Sequence, residues 1–349
     1  MGDREYTSAH IASVVALYWA VSISMVYLNK FLLSNPDASI PAPLFVTWFQ
    51  CVVTVIICDS LGRLGTLARA MPVVEKQNTF MSNFEKYHVT SYNLETGLKV
   101  LPLSLMFVGM ITFNNLCLQN VNVSFYNVAR SLSIVCNVLF SYLILNSKVS
   151  LKVIGVLGIV IGGFIVGIDG ELDFSLFGTI SGVLASIFVS LNSILTKKIL
   201  NDVGLGNDAL LFFNNFNASV LFIPLILYFE WSKLIEFQHH LTSLIFWFSM
   251  TCTGIMGFAI GLVTVMQIEA TSPLTHNISG TAKAAVQSLM AFYIWGNQAT
   301  FKGIMGIFLV VGGSGVYAYV QRQATLEAKK IAEEKTAAKA SENQATTKV

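Results

Sequence analysis

Long apolar runs alternate with short polar stretches through most of the chain. A helix crosses a ~30 Å hydrocarbon core with about 20 residues. Runs of that length fall near 11–33, 43–62, 98–119, 123–146, 151–169, 175–196, 208–229, 243–267, 273–296 and 300–321. The pattern predicts an all-α polytopic membrane protein with ten transmembrane helices. The first run lacks a small-residue cleavage site and reads as a signal-anchor helix. Only Gly170–Phe174 separates the fifth run from the sixth, and the tail from Gln323, rich in Ala, Lys, Glu and Thr, reads as a solvated helix or a disordered segment.

The pattern also repeats. Val149-Ser-Leu-Lys-Val-Ile-Gly155, followed by Ile161-Gly-Gly, matches Ala299-Thr-Phe-Lys-Gly-Ile-Met305, followed by Val311-Gly-Gly, at a constant offset of 150. The chain then divides into an amino-terminal stretch 1–10, a first five-helix half 11–169, a second half 170–322 and a tail 323–349. An offset of five helices is odd, so the halves would cross the membrane in opposite senses. Inverted repeats mark transporters whose substrate site lies near the midplane between the halves.

Within this apolar frame the polar positions line up on helix faces. Asn127, Arg130, Asn137 and Ser141 share one face of the fourth run; His276, Ser279 with Gly280, Lys283 and Gln287 share one face of the ninth; Tyr18, Ser22, Met25 and Asn29 share one face of the first. A single Asn or Ser would be read as interhelical packing. Three aligned stripes, two bearing a cation, read as the wall of a wet cavity. Charge at mid-membrane is costly, about 2.5–3.5 kcal/mol on insertion scales, and normally meets a partner or water. Yet none of the 19 acidic residues falls mid-span; Asp59 and Glu269 come nearest, at helix ends. Arg130 and Lys283, one in each half, therefore call for an anion from outside the chain, unless backbone carbonyls and water satisfy them. Arg suits a bidentate phosphate contact and Lys a point charge. The missing carboxylates also argue against proton or sodium coupling and for anion exchange.

The seventh run opens Leu211-Phe-Phe-Asn-Asn-Phe-Asn217. Its amides could read a nucleobase edge beside stacking rings, or could cap the helix and bond its neighbours.

Composition agrees with lipid as the main solvent: 54% of the 349 residues are hydrophobic and 11% charged, against roughly 25% charged in soluble domains; mean hydropathy is +0.66. The sidedness of the charge says more than the net +2. Arg4, Arg63, Arg69, Lys76, Lys86, Lys99, Lys148, Lys152, Lys197, Lys198, Arg322, Lys329, Lys330, Lys335, Lys339 and Lys348 fall on one side of a ten-span chain, sixteen of the 21 basic residues. By the positive-inside rule both termini, and the long loop Arg63–Glu95, face the cytosol. The five cysteines lie in apolar runs without a CxxC pair, and His239 and His240 suit a hydrated loop, so neither a metal site nor a cofactor is expected. No hydrolase or phosphate-loop motif appears; a membrane-embedded transferase would need a carboxylate or metal set near the bilayer surface, and ten spans with an inverted repeat speak against a seven-span receptor. Gly-x-x-x-Gly spacings at 158/162, 163/167, 178/182 and 257/261 permit close helix packing, and a homodimer stays open.

Ser22-Ile-Ser-Met-Val-Tyr-Leu-Asn-Lys30, Phe107-Val-Gly-Met-Ile-Thr-Phe-Asn-Asn-Leu-Cys117, Phe125-Tyr126-Asn127-Val-Ala-Arg-Ser-Leu132 and Ser272-Pro-Leu-Thr-His276-Asn277-Ile-Ser-Gly-Thr281-Ala-Lys283 carry a resemblance. From about Leu17 to Tyr319 the chain resembles the nucleotide-sugar transporters of the drug/metabolite transporter superfamily, above all their GDP-fucose branch. The resemblance implies two inverted five-helix repeats, Golgi residence, and alternating-access exchange of cytosolic GDP-fucose for lumenal GMP, with no enzyme activity and no nucleic-acid partner. The family's Phe-Tyr-Asn-Asn motif reads Phe212-Phe213-Asn214-Asn215 here, so Asn214 and Asn215, beside Phe213, would read the base, without the tyrosine hydroxyl. Its Gly-Ala-Leu-Asn-Lys motif reads Ser279-Gly280-Thr281-Ala282-Lys283; the Lys is kept, and Ala at the Asn position argues against GDP-mannose. Lys283 and Arg130 would hold the phosphates. The cavity wall around the sugar would comprise Ser22, Asn29, Lys30, Tyr126, Asn127, His276, Asn277, Ser279, Gly280, Thr281 and Gln287. Another nucleotide sugar, such as GDP-mannose or a UDP-sugar, or a phosphorylated metabolite is the alternative cargo.

Overall fold

A computed structural model describes residues 8–34, 40–71, 84–121, 123–145, 150–169 and 175–270, positions 279, 280, 282, 283, 286, 287 and 290, and 300–323 apart from 318, 321 and 322. The chain there is helical: α1 Ser8–Ser34, α2 Pro43–Ala70, α3 Leu94–Asn120, α4 Val123–Leu145, α5 Leu151–Asp169, α6 Leu176–Val203, α7 Asn207–Phe229 and α8 Leu244–Ala270. A short helix, Trp231–Glu236, and a 3-10 turn, Gln238–Thr242, join α7 to α8. The described positions from 279 to 290 are helical, and an apolar helix spans Phe301–Tyr317. Five helices, α2, α3, α6, α7 and α8, are long and apolar enough to cross a bilayer, and shorter apolar helices cover Ala9–Met25, Val128–Leu143, Leu151–Gly167 and Phe301–Tyr317. The molecule is a polytopic membrane protein. The outward-facing Leu, Ile and Phe side chains of these helices, such as Ile165, Leu227 and Phe248, suit acyl chains rather than water.

Helix edges follow the hydropathy closely except at α6, which runs on to Val203 past 196, and at α2, which runs on to Ala70 where the apolar run stops near 62. The 84–90 segment folds back along that extension. Arg69 donates to the carbonyls of Glu85 and Tyr87 at 2.7 and 2.8 Å. Gly65 makes the approach feasible, because a Cβ there would stand 2.1 Å from the Tyr87 carbonyl oxygen. The loop expected over Arg63–Glu95 is thus shorter: its start belongs to α2, and Leu94 and Glu95 open α3, capped by the Asn93 side chain.

The packing follows an arc. α1 lies on α8, α8 on α2, α2 on α7, α7 on α3, α3 on α6 and α6 on α4. α5 packs on α4 and crosses the Phe301–Tyr317 helix, where Val128, Ile307 and Val310 form a small core. Gly306 there meets the backbone of Gly163 and Gly167. The 178/182 and 257/261 glycine pairs likewise pack inside the chain, whereas nothing lies within 4 Å of a Cβ built at Gly158 or Gly162.

One contact joins α7 to α2 across 185 residues. α2 begins at Pro43 with no side-chain cap from Ala42. Its free amides at Leu44 and Phe45 donate instead to the two carboxylate oxygens of Glu230, at 2.9 and 2.8 Å. Glu230 is buried and sits just beyond α7. Burial pushes its carboxyl pKa up, against the opposite pull of the two amide donors. A cavity of about 230 Å³ opens beside it, lined by Thr112, Asn115, Gln119 and Lys233 among others.

Among the described residues no cluster of metal-ligating side chains occurs, and all five cysteines are free. His240 is buried, on the 3-10 turn rather than in an open loop. The tail from 324 lies outside the described residues.

Candidate substrate site

Tyr18 and Ser22 stand one turn apart on α1, and Ser279 and Lys283 one turn apart on the 279–290 segment. The two faces meet. Trp19 Nε1 donates to Ser279 Oγ at 2.8 Å. Lys283 Nζ donates to Ser22 Oγ and lies 5.5 Å from the centre of the Tyr18 ring, within cation–π range. Ser22 is hydrogen-bonded to the Tyr18 hydroxyl. Tyr18, Ser22, Ser279 and Lys283 are all buried. A Cβ built on Gly280 would come within 3.9 Å of that same hydroxyl.

Arg130 reaches the same place from α4. Its Nη1 donates to the Tyr126 hydroxyl one turn earlier, at 3.5 Å, and Tyr126 donates to Asn114 Oδ1 of α3, at 3.2 Å. Arg130 lies within electrostatic reach of both Lys283 and Tyr18. The two ends of the helix arc, α4 and the 279–290 segment beside α1, therefore come together at two like charges. Among the described residues the ion pairs are Arg63–Asp59 and Lys99–Glu95, both outlying; no carboxylate answers Arg130 or Lys283. A buried charge without a counter-charge is expensive, and hydroxyls with a ring face compensate only in part. Gln287, one turn beyond Lys283, adds a buried Nε2 with no hydrogen-bond partner. Together these groups form a cationic, donor-rich site that an anionic ligand would neutralise.

The α7 amides have divided roles. Asn217 is committed to packing: it donates to the Gly97 carbonyl at 2.9 Å and accepts from Tyr92 at 3.0 Å. Asn214 accepts from Ser104 of α3 at 3.0 Å, which leaves its amino group. Asn215 donates to the Leu211 carbonyl of its own helix at 2.8 Å, which leaves its carbonyl. Phe213 is buried in a core with Val100, Leu103, Ile199, Leu210 and Phe212, and its ring meets Tyr92 and Phe212.

Of the expected wall, the structure brings Ser22, Ser279, Gly280, Lys283, Tyr126 and Arg130 into one neighbourhood. The side chains of Asn29, Lys30 and Asn127, and residues His276, Asn277 and Thr281, lie outside the described residues. Trp19, Asn114, Ser104 and Asn192, whose buried Oδ1 has no partner, join the polar interior without having been singled out in the sequence. None falls on the three polar faces read from the sequence, and only tertiary contact distinguishes them.

The model of the Triose-phosphate Transporter family matches residues 9–319 of this chain. GDP-fucose transporter 1 of Mus musculus is 47% identical over 315 residues, covering 89% of this chain and 83% of its own. GDP-fucose transporter 1 of Nematostella vectensis is also 47% identical, over 90% of both chains. The Golgi GDP-fucose transporter of Drosophila melanogaster is 42% identical over 80% of both. A solved crystal structure shares the fold, with a TM-score of 0.54 over 91% of this chain and 99% of its own, at 13% identity.

Proposed function

This chain belongs to the Triose-phosphate Transporter family, and we propose that it carries GDP-fucose across the Golgi membrane in exchange for GMP. The relatives supply the cargo and the compartment. The observation that carries the mechanism is the pair of interior cations, Arg130 and Lys283, that no carboxylate among the described residues answers. A diphosphate would sit between them, with Asn214 and Asn215 presenting a free amide donor and acceptor to guanine. Sugar hydroxyls would meet Ser279, Tyr126 and Gln287. The return of a phosphate-bearing product would neutralise the same site on the way back, which favours exchange over one-way passage.

We read the scaffold as ten spans in two inverted halves. Packing supports it: exchanging each helix with the one five further on turns α3 on α6 into α8 on α1, turns α2 on α8 into α7 on α3, and returns α2 on α7 to itself. Charge placement supports cytosolic termini.

Purified protein in liposomes tests the reading. Labelled GDP-fucose should enter vesicles preloaded with GMP far faster than empty ones, and GMP should compete from outside. Equal uptake into empty vesicles would refute exchange; preference for a UDP-sugar in a nucleotide-sugar panel would refute the cargo.

A further inference from the structure

Lys283 is already engaged by groups of the chain itself. Its ammonium donates to Ser22, whose own hydroxyl is bonded to Tyr18, and it faces the Tyr18 ring. One turn away, Trp19 is bonded to Ser279. Apart from the Ser22–Tyr18 bond inside α1, these ties join α1 to the 279–290 segment. Ser22 offers a neutral oxygen, whereas a phosphate offers an anionic one, and ammonium bonds the anion more strongly. The two cannot take the same donor at once.

We propose that Ser22 and Tyr18 are a resting cradle for Lys283, which an incoming phosphate group must displace. The proposal rests on Lys283 being a phosphate-binding residue. Ser22 is then a positioning residue that acts against binding: it stabilises the empty protein and pins α1 to the 279–290 segment. A substrate contact at Ser22 would act in the opposite sense, so the sign of one substitution separates the two.

In Ser22→Ala the ammonium loses its acceptor only in the empty state. GMP should inhibit uptake roughly tenfold to a hundredfold more tightly, as expected when one charge-assisted hydrogen bond disappears from the free protein alone. Uptake into empty liposomes should rise, because the unloaded protein is no longer pinned. GMP should also raise the melting temperature of the variant by more than that of the wild type. Ser22→Thr, which keeps the hydroxyl, should bring back the low empty-vesicle uptake, and Ser22→Cys, near-isosteric with a poor acceptor, repeats the test should the alanine variant unfold. Weaker GMP inhibition, or unchanged inhibition with unchanged empty-vesicle uptake, overturns the cradle. If the wild type itself shows neither GMP competition nor a GMP-dependent melting shift, the function proposed above fails, and the cradle with it.

Discussion

Lys283 and Arg130 differ in what holds them, and the difference predicts how each responds to substitution. Lys283 is a point charge on Ser22 and Tyr18; Arg130 is a fork steadied by Tyr126 and, through it, Asn114. Lys283→Ala should cut GDP-fucose uptake by at least about a hundredfold, in the ~2–5 kcal/mol range for truncating one member of a desolvated charge contact. It should change the melting temperature of the empty protein little, since the tie lost to Ser22 is offset by removal of a buried charge that no carboxylate among the described residues answers. A destabilised variant with wild-type uptake would make Lys283 structural. Arg130→Lys keeps the charge but loses bidentate geometry, and a milder loss of about tenfold is expected. On α7, Asn215→Ala should weaken GMP competition about tenfold while leaving folding intact, because among the described residues its amide bonds to its own helix; unchanged competition would remove it from base reading. The cations were legible in the sequence because charge inside an apolar run is conspicuous without any partner. Ser104, Asn114 and Trp19 were not, because their significance exists only across helices. Phe213, read as a ring beside the base, also packs against Tyr92 and Phe212, contacts its local sequence does not reveal.

Helix positions were largely legible too, since a run of about 20 apolar residues marks a span by itself. What escaped were ends fixed by distant chain. α2 outlasts its apolar run because the 84–90 segment covers it, and it starts where it does because Glu230 supplies the cap that Ala42 does not. Nothing near residue 42 foretells a carboxylate 185 residues away. The consequence at this scale is measurable. Glu230→Ala leaves two amides at a buried helix start without acceptors, a loss of about 1–3 kcal/mol, so the melting temperature in detergent should fall clearly. Glu230→Gln keeps one acceptor oxygen and should lose less. Equal melting of wild type and both variants would show that water replaces the carboxylate at no cost, and that α2 and α7 are held by their apolar contacts alone.

For the whole molecule, the proposed mechanism needs a site that both faces of the membrane can reach, and the arc of helices provides the geometry for it. Its ends meet at Lys283 and Arg130, while α2 and α7 meet in its middle, the pair that the proposed five-helix exchange maps onto itself. A rocking motion about such a pair would open one side as it closes the other. That motion has a direction only if the chain has a fixed orientation, and the sixteen basic residues that ten spans would gather on one side supply the reason for one. Both termini and the 72–83 stretch should therefore face the cytosol, and the Trp231–Ser243 connection between α7 and α8 the lumen. In sealed Golgi vesicles an added protease should remove epitope tags from either end of the chain. A tag placed within Trp231–Ser243 should survive until detergent opens the membrane. Terminal tags that resist protease would reverse the orientation, and with it the side from which the sugar nucleotide enters; one accessible and one protected terminus would break the even number of spans on which the inverted repeat depends.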